Sequence, residues 1–275
     1  MHAADRFWFS IADGDLLAWA RAVAAERALD VSIFEADVSP LAIQGPKAED
    51  LVIALFGEQV RGIRHFHFRE LSLDGIPLIL ARSGWSKQGG FELYLLDSTR
   101  VDELWQRVKH VGRPFDIGAG TPNPIERIES TLLSCGGDTD SETNSFEVRL
   151  GRLVDLDAPD EVIGIRALCA IEQRGPSCHQ LGVYIDVDTP LSQDDQFCKV
   201  QLNDWGIGRV TAHAWSPRLK RTNRLCLVAR TAEPGDSVQV LARDRTSVSG
   251  ELTTLPFCEA TLATDALGAV AKHAP

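Results

Sequence analysis

From residue 177 onward the chain reads as a succession of short strand-like runs with no helical pattern between them. The runs are 181–186, 199–202, 208–214, 224–229, 237–242 and 247–252, and turn-forming residues separate them. A short amphipathic strand is not stable alone, so several must pair and then close or stack. The region 177–258 is therefore expected to form a small C-terminal β-barrel or sandwich, with 259–275 as a flexible, small-residue tail.

The first half has a different rhythm. Residues 6–12 (RFWFSIA) and 29–35 read as strands, and the Ala-rich stretch 16–27 carries apolar residues at helical spacing. Pro46 opens a helix that Gly57 stops. Asp74-Gly75 lies between the apolar runs 66–73 and 76–82, which signals a two-residue hairpin. Residues 91–96 form another strand, a helix follows from Ser98 or Thr99 to about His110, and Pro124 begins a helix ending before Gly136-Gly137. The expected class is α+β: antiparallel sheets with packed helices over 1–150, a connecting helix at 151–176, then the barrel.

Charge narrows the partners. With 28 Lys and Arg against 39 Asp and Glu the net charge is −11, and no basic block stands out. Nucleic acid and anionic lipid are therefore not expected partners. No apolar run approaches the roughly 20 residues of a membrane helix. The opening MHAADRFWFS lacks a basic stretch followed by an apolar one. A cytoplasmic protein is expected, and its six cysteines, which form no CxxC pair, are expected to be reduced thiols.

The most unusual stretch is 82–94, RSGWSKQGGFELY, a glycine-rich loop feeding into a strand. Glu92 and Tyr94 project to one face because side chains alternate with period two. The loop brings an indole, Trp85, and a cation, Lys87, toward them. Its spacing matches neither phosphate-binding glycine motif. In NPIERIE, residues 123–129, Glu126 and Glu129 lie near the start of a helix and Arg127 is available to a carboxylate elsewhere. His65 and His67 alternate on one strand face without an evident third ligand, so no metal is expected.

Three stretches together resemble the folate-binding aminomethyltransferase family of the glycine-cleavage T-protein type. They are SPLAIQGPKAEDL at 39–51, GWSKQGGFELY at 84–94 and NPIERIESTLLSCGGD at 123–138. The loop and the later helix side with the dimethylsulfoniopropionate demethylase branch. The resemblance implies tetrahydrofolate as cofactor, with Glu92 accepting two hydrogen bonds from the pterin ring and Tyr94 and Trp85 lining the same pocket. It implies a tetrahydrofolate-dependent methyltransferase that takes a methyl group from a small sulfonium donor. Trp85 would then wall the cation and Lys87 would meet the donor's carboxylate. No catalytic residue is assigned. The alternatives are a folate-binding module without turnover and a T-protein-type aminomethyltransferase.

Four features depart from the family pattern. The chain begins later than its relatives, so a homo-oligomer or a partner supplying the preceding segment is expected. Asn123 stands where T-proteins have an arginine, Cys135 where the family has a tyrosine, and Arg149 where it has a glycine. An arginine at a glycine position requires space or an altered backbone.

Overall fold

The computed structural model describes residues 2–3, 5–11, 15–86, 88–121, 124–185, 198–242 and 247–257. They fall into two compact units, the first within residues 1–122 and the second within Asn123–Glu259.

The first unit is built on a four-stranded antiparallel sheet, ordered β3 (Ser39–Gln44), β6 (Gly90–Leu95), β5 (Ile76–Ala81), β4 (Phe68–Leu73). The β4–β5 hairpin turns at Asp74 and Gly75, whose φ values of 50° and 82° are the paired positive angles a two-residue turn needs. Strand β3 was not legible as a strand because of Pro40. It lies at the sheet edge, where a proline costs no ladder hydrogen bond.

One face of the sheet packs against α2 (Ala48–Phe56) and α3 (Val101–Gly112). Leu78, Leu80, Leu93 and Leu95 from the sheet meet Leu51, Val52, Leu104 and Val108 from the helices. Leu104 and Val108 are four apart and so share one helix face. Removing such a side chain from water contributes about 1.5–3 kcal/mol.

The segment ahead of the sheet departs from expectation. Of the strand expected at 6–12, Arg6–Phe7 (β2) is a strand, pairing with His2–Ala3 (β1), and the remaining described residues, 8–11, are not. Residues 29–35 form no strand. Helix α1 (Leu16–Glu26) does form, its first turn capped by Asp15 Oδ1 accepting from Ala18 N at 3.0 Å, yet none of its residues is buried. Phe7, Phe9, Trp19, Leu29, Val31 and Phe34 are all exposed. Strand-like composition marked these runs, but a run becomes a strand only where a neighbour completes its hydrogen bonds.

The second unit contains α4 (Pro124–Glu129), α5 (Ile165–Arg174) and a closed six-stranded antiparallel barrel. The barrel strands are β7 (Cys178–Ile185), β8 (Lys199–Leu202), β9 (Trp205–Ser216), β10 (Arg221–Ala229), β11 (Ser237–Leu241) and β12 (Ser247–Thr253), closing in the order β10-β7-β12-β11-β8-β9. Val183, Ile185, Val200, Val210, Val228, Val240 and Leu252 are buried in one cluster among these strands.

Residues 123–150 belong to this unit and not with the sheet, so the boundary expected near 150 falls at 122/123 instead. The reason is α4, whose Ile128 packs on Ala212 and Leu225 of the barrel wall. The helix stops at Glu129, earlier than expected, where Thr131 adopts φ 59° and Leu132 N returns to Arg127 O at 2.8 Å. The tail 259–275 lies outside the described residues.

Candidate active site on the four-stranded sheet

Strand β6 alternates as its sequence implies. Phe91, Leu93 and Leu95 are buried in the core, while Glu92 and Tyr94 share the opposite face and are half-buried. On that face Glu92 lies between Ala42 of β3 and Ala81 of β5, and Tyr94 between Pro40 and Ile79. Two alanines beside a glutamate leave its carboxylate standing clear of its cross-strand neighbours.

The carboxylate is oriented from one side. Glu92 Oε2 accepts from Ser83 Oγ and from Tyr94 OH, the latter at 3.2 Å. Both hydroxyls donate to the same oxygen. Oε1 takes part in neither of these two hydrogen bonds. Burial, followed by the charge of Glu92, raises the Tyr94 phenol above its ordinary pKa, so it stays a donor at neutral pH.

The glycine-rich loop lies beside this carboxylate. Trp85 is 40% exposed on it, and Lys87 lies outside the described residues. Arg82, at its start, donates to Ile63 O at 3.1 Å and to Glu49 Oε2 at 3.2 Å, with its guanidinium 5.4 Å from the centre of the Phe91 ring. Ser83 was not assigned a role from sequence, because its contact with Glu92 depends on the loop bending back by nine residues.

The NPIERIE helix does different work. Arg127 Nη1 meets Asp138 Oδ2 at 2.5 Å with both side chains nearly removed from solvent, 8% and 0% exposed. Asp138 also accepts from Ser134 N at 2.9 Å and Thr211 Oγ1 at 2.7 Å. Thr211 is the extra residue of a bulge, where the register slips between Leu225 and Cys226. A bulge re-aims a side chain, here toward Asp138. Glu129 accepts from Ser216 Oγ at 2.5 Å and Arg218 Nη2 at 2.6 Å. Burial, then the charge of Glu129, raises the Glu126 carboxyl. These groups fasten α4 and its following loop to the barrel. Asn123 is outside the described residues.

Arg149, at the glycine position, holds the left-handed backbone conformation that glycine favours: its φ is 64°. That conformation costs a side-chain-bearing residue about 1–2 kcal/mol. Cys135 is exposed and lies in the isolated bridge to Thr139. His67 Nε2 accepts from Arg64 Nη2 at 2.7 Å, since a guanidinium has no acceptor; its Nδ1 then donates to His65 O at 3.1 Å. Among the described residues no three His, Cys, Asp or Glu side chains converge as a metal site.

The GCVT N-terminal domain family matches residues 1–158. Dimethylsulfoniopropionate demethylase DmdA of Ruegeria pomeroyi is 45% identical over 192 residues, which cover 70% of this chain and 52% of that protein. The aminomethyltransferase of Alkaliphilus metalliredigens is 30% identical over 234 residues, covering 83% of this chain and 62% of that protein. Among solved structures, the glycine cleavage system aminomethyltransferase T of Bartonella henselae shares the fold with a TM-score of 0.68 at 22% identity, over 88% of this chain and 66% of that one. The chain thus spans between about half and two thirds of the length of these curated relatives.

Proposed function

The chain belongs to the folate-binding aminomethyltransferase family, and on that premise we propose that it moves a methyl group from a small sulfonium donor to tetrahydrofolate. The observation that carries the reading is the Glu92 carboxylate, held from one side by Ser83 and Tyr94 and flanked by Ala42 and Ala81. A pterin presents a planar edge of N–H donors, and an ionised carboxylate with an open oxygen is its complement. The donor set therefore suits the ligand. The 45% identity to a dimethylsulfoniopropionate demethylase favours a sulfonium donor over an aminomethyl donor.

Tetrahydrofolate would supply the nucleophilic nitrogen that receives the methyl group. The chain's own contribution is placement. Glu92 would fix the ring edge, and Tyr94 and Ser83 would keep the carboxylate from turning. The Trp85 indole face would sit against the methyl-bearing cation, since an aromatic face attracts positive charge. Lys87 would meet the donor's carboxylate. A sulfonium is a ready leaving group and needs no strong general base, so alignment of donor and acceptor is what remains to be provided.

The test is mass spectrometry of tetrahydrofolate incubated with dimethylsulfoniopropionate and the chain. The expected result is a methylated folate together with the demethylated thioether, both lost in Glu92→Ala. Folate that stays unmethylated with a folded chain and a sulfonium donor would overturn the proposal.

A further inference from the structure

One side chain organises the whole glycine-rich loop. Gln44 ends β3 and stands opposite Gly90 in the register of β3 with β6. Its carboxamide reaches across that glycine. Nε2 donates to Ser83 O at 3.1 Å and, more weakly, to Phe91 O at 3.4 Å. Its Oε1 accepts from Ser86 Oγ at 3.0 Å. Ser86 Oγ in turn accepts from Gln88 N at 3.3 Å. One amide thus ties the entry, the middle and the exit of the loop together. Beside it, Gly45 N donates to Gly89 O at 3.1 Å.

Two glycines lie directly against this amide. A Cβ at Gly84 would collide with the Gln44 carboxamide. A Cβ at Gly90 would collide with the same group and with Ile43 O, and Gly90 also holds φ 156°. The loop sequence is therefore shaped around Gln44, a residue about 40 positions earlier. The loop in turn carries Ser83, which orients the Glu92 carboxylate, and Trp85.

We propose that Gln44 is the positioning residue of the site: it touches no ligand but latches the 83–91 loop so that Ser83 aligns Glu92 and Trp85 faces the ligand. This rests on the reading of Glu92 as the pterin acceptor. The latch itself is a property of the chain without ligand and can be read separately. Losing Gln44 leaves two carbonyls and a serine hydroxyl to find water, and the loop samples other arrangements before ligand arrives. Ligand then bears the ordering cost, so affinity falls without a contact having been removed.

The experiment uses the chain labelled with 5-fluorotryptophan. The fluorine resonance of Trp85 is assigned by Trp85→Phe. In Gln44→Ala that resonance is expected to move and narrow, with those of the other tryptophans unchanged. Tetrahydrofolate affinity, measured by calorimetry, is expected to drop about tenfold or more, each factor of ten being about 1.4 kcal/mol. Gly84→Ala is expected to reproduce both effects by displacing the amide. In the double variant Gly84→Ala adds little to Gln44→Ala, because the clash has gone.

An unmoved Trp85 resonance in Gln44→Ala, with the remaining tryptophans as in the parent, would overturn the latch. If Gln44→Ala fails to fold, Gly84→Ala decides by the same resonance. A parent chain that binds no tetrahydrofolate would sink the pterin reading while the Trp85 resonance still reports on the latch. Strong affinity retained in a chain whose Trp85 has moved would show that the loop is latched by Gln44 but does not serve the ligand, and would equally overturn the proposal.

Discussion

The barrel and the four-stranded sheet solve opposite problems with the same kind of strand. In the barrel every strand has two partners, and the interior is filled by Val, Ile and Leu side chains. In the sheet β3 and β4 are edges, one face is packed by α2 and α3, and the other carries Glu92 and Tyr94 half-buried. The barrel leaves little backbone unpaired. The sheet keeps a face on which two polar side chains, Glu92 and Tyr94, are only half-buried. One ionic pair marks a further difference: Arg127–Asp138 beside the barrel is 8% and 0% exposed, whereas Arg100–Glu103 on the sheet unit is 29% and 52% exposed.

The largest expected effect follows from that last difference. Asp138→Ala leaves the Arg127 guanidinium without its carboxylate and Thr211 and Ser134 without their acceptor. Breaking a buried pair from one side costs about 3–5 kcal/mol. Urea unfolding followed by amide exchange in β9 and β10 should show the loss there, with the sheet amides little changed. Equal loss in both units would break the comparison.

Next is the core beneath the site. Leu93, which is 0% exposed, lies next to Glu92 on β6 and faces the helices. Leu93→Ala should cost about 2–5 kcal/mol. Here exchange should speed up in β5 and β6 and not in β7 to β12. A barrel that loosened in step would mean that the two units share one cooperative transition.

The barrel should also be distinguished by alkali. Burial pushes the Cys226 thiol up to about 12, against an ordinary value of 9.0. The folded state keeps its proton where the unfolded state has lost it, so the associated stability is present below pH 9 and declines as pH rises toward 12. The melting temperature of the barrel should fall over that range, and Cys226→Ala should flatten the slope while lowering the plateau. Tyr94, raised chiefly by burial, gives the sheet a decline of the same sign from about pH 10 upward, which Tyr94→Phe should remove.

The smallest effect is Glu103→Ala. Its partner Arg100 also bonds Gly75 O at 2.7 Å, and the pair is solvent-exposed, so a change of about 0.5 kcal/mol or less is expected in urea unfolding.

What could be read in advance follows the range of the interactions involved. The six barrel strands and the Asp74-Gly75 hairpin were legible because alternation and turn chemistry are local signals. So was the shared face of Glu92 and Tyr94. Strand β3 was hidden by Pro40, whose place at an edge is a tertiary fact. The runs at 6–12 and 29–35 carried strand composition without strand partners. The division at 122/123 depends on α4 meeting the barrel wall, and Asp138 meets Thr211 across 73 positions. Gln44 stood inside the quoted motif SPLAIQGPKAEDL, but its role depends on a loop 39 residues later. Within that stretch the signal was a carboxamide at the end of an apolar strand, directly before a glycine.

The most direct test of the central claim, that the open face of the sheet recognises folate through Glu92, is an anaerobic calorimetric titration of tetrahydrofolate into the chain and into Glu92→Ala. Saturable binding by the parent, lost in a variant that melts at the same temperature, is the predicted result. Binding that survives the substitution, or no binding by a folded parent chain, would contradict it.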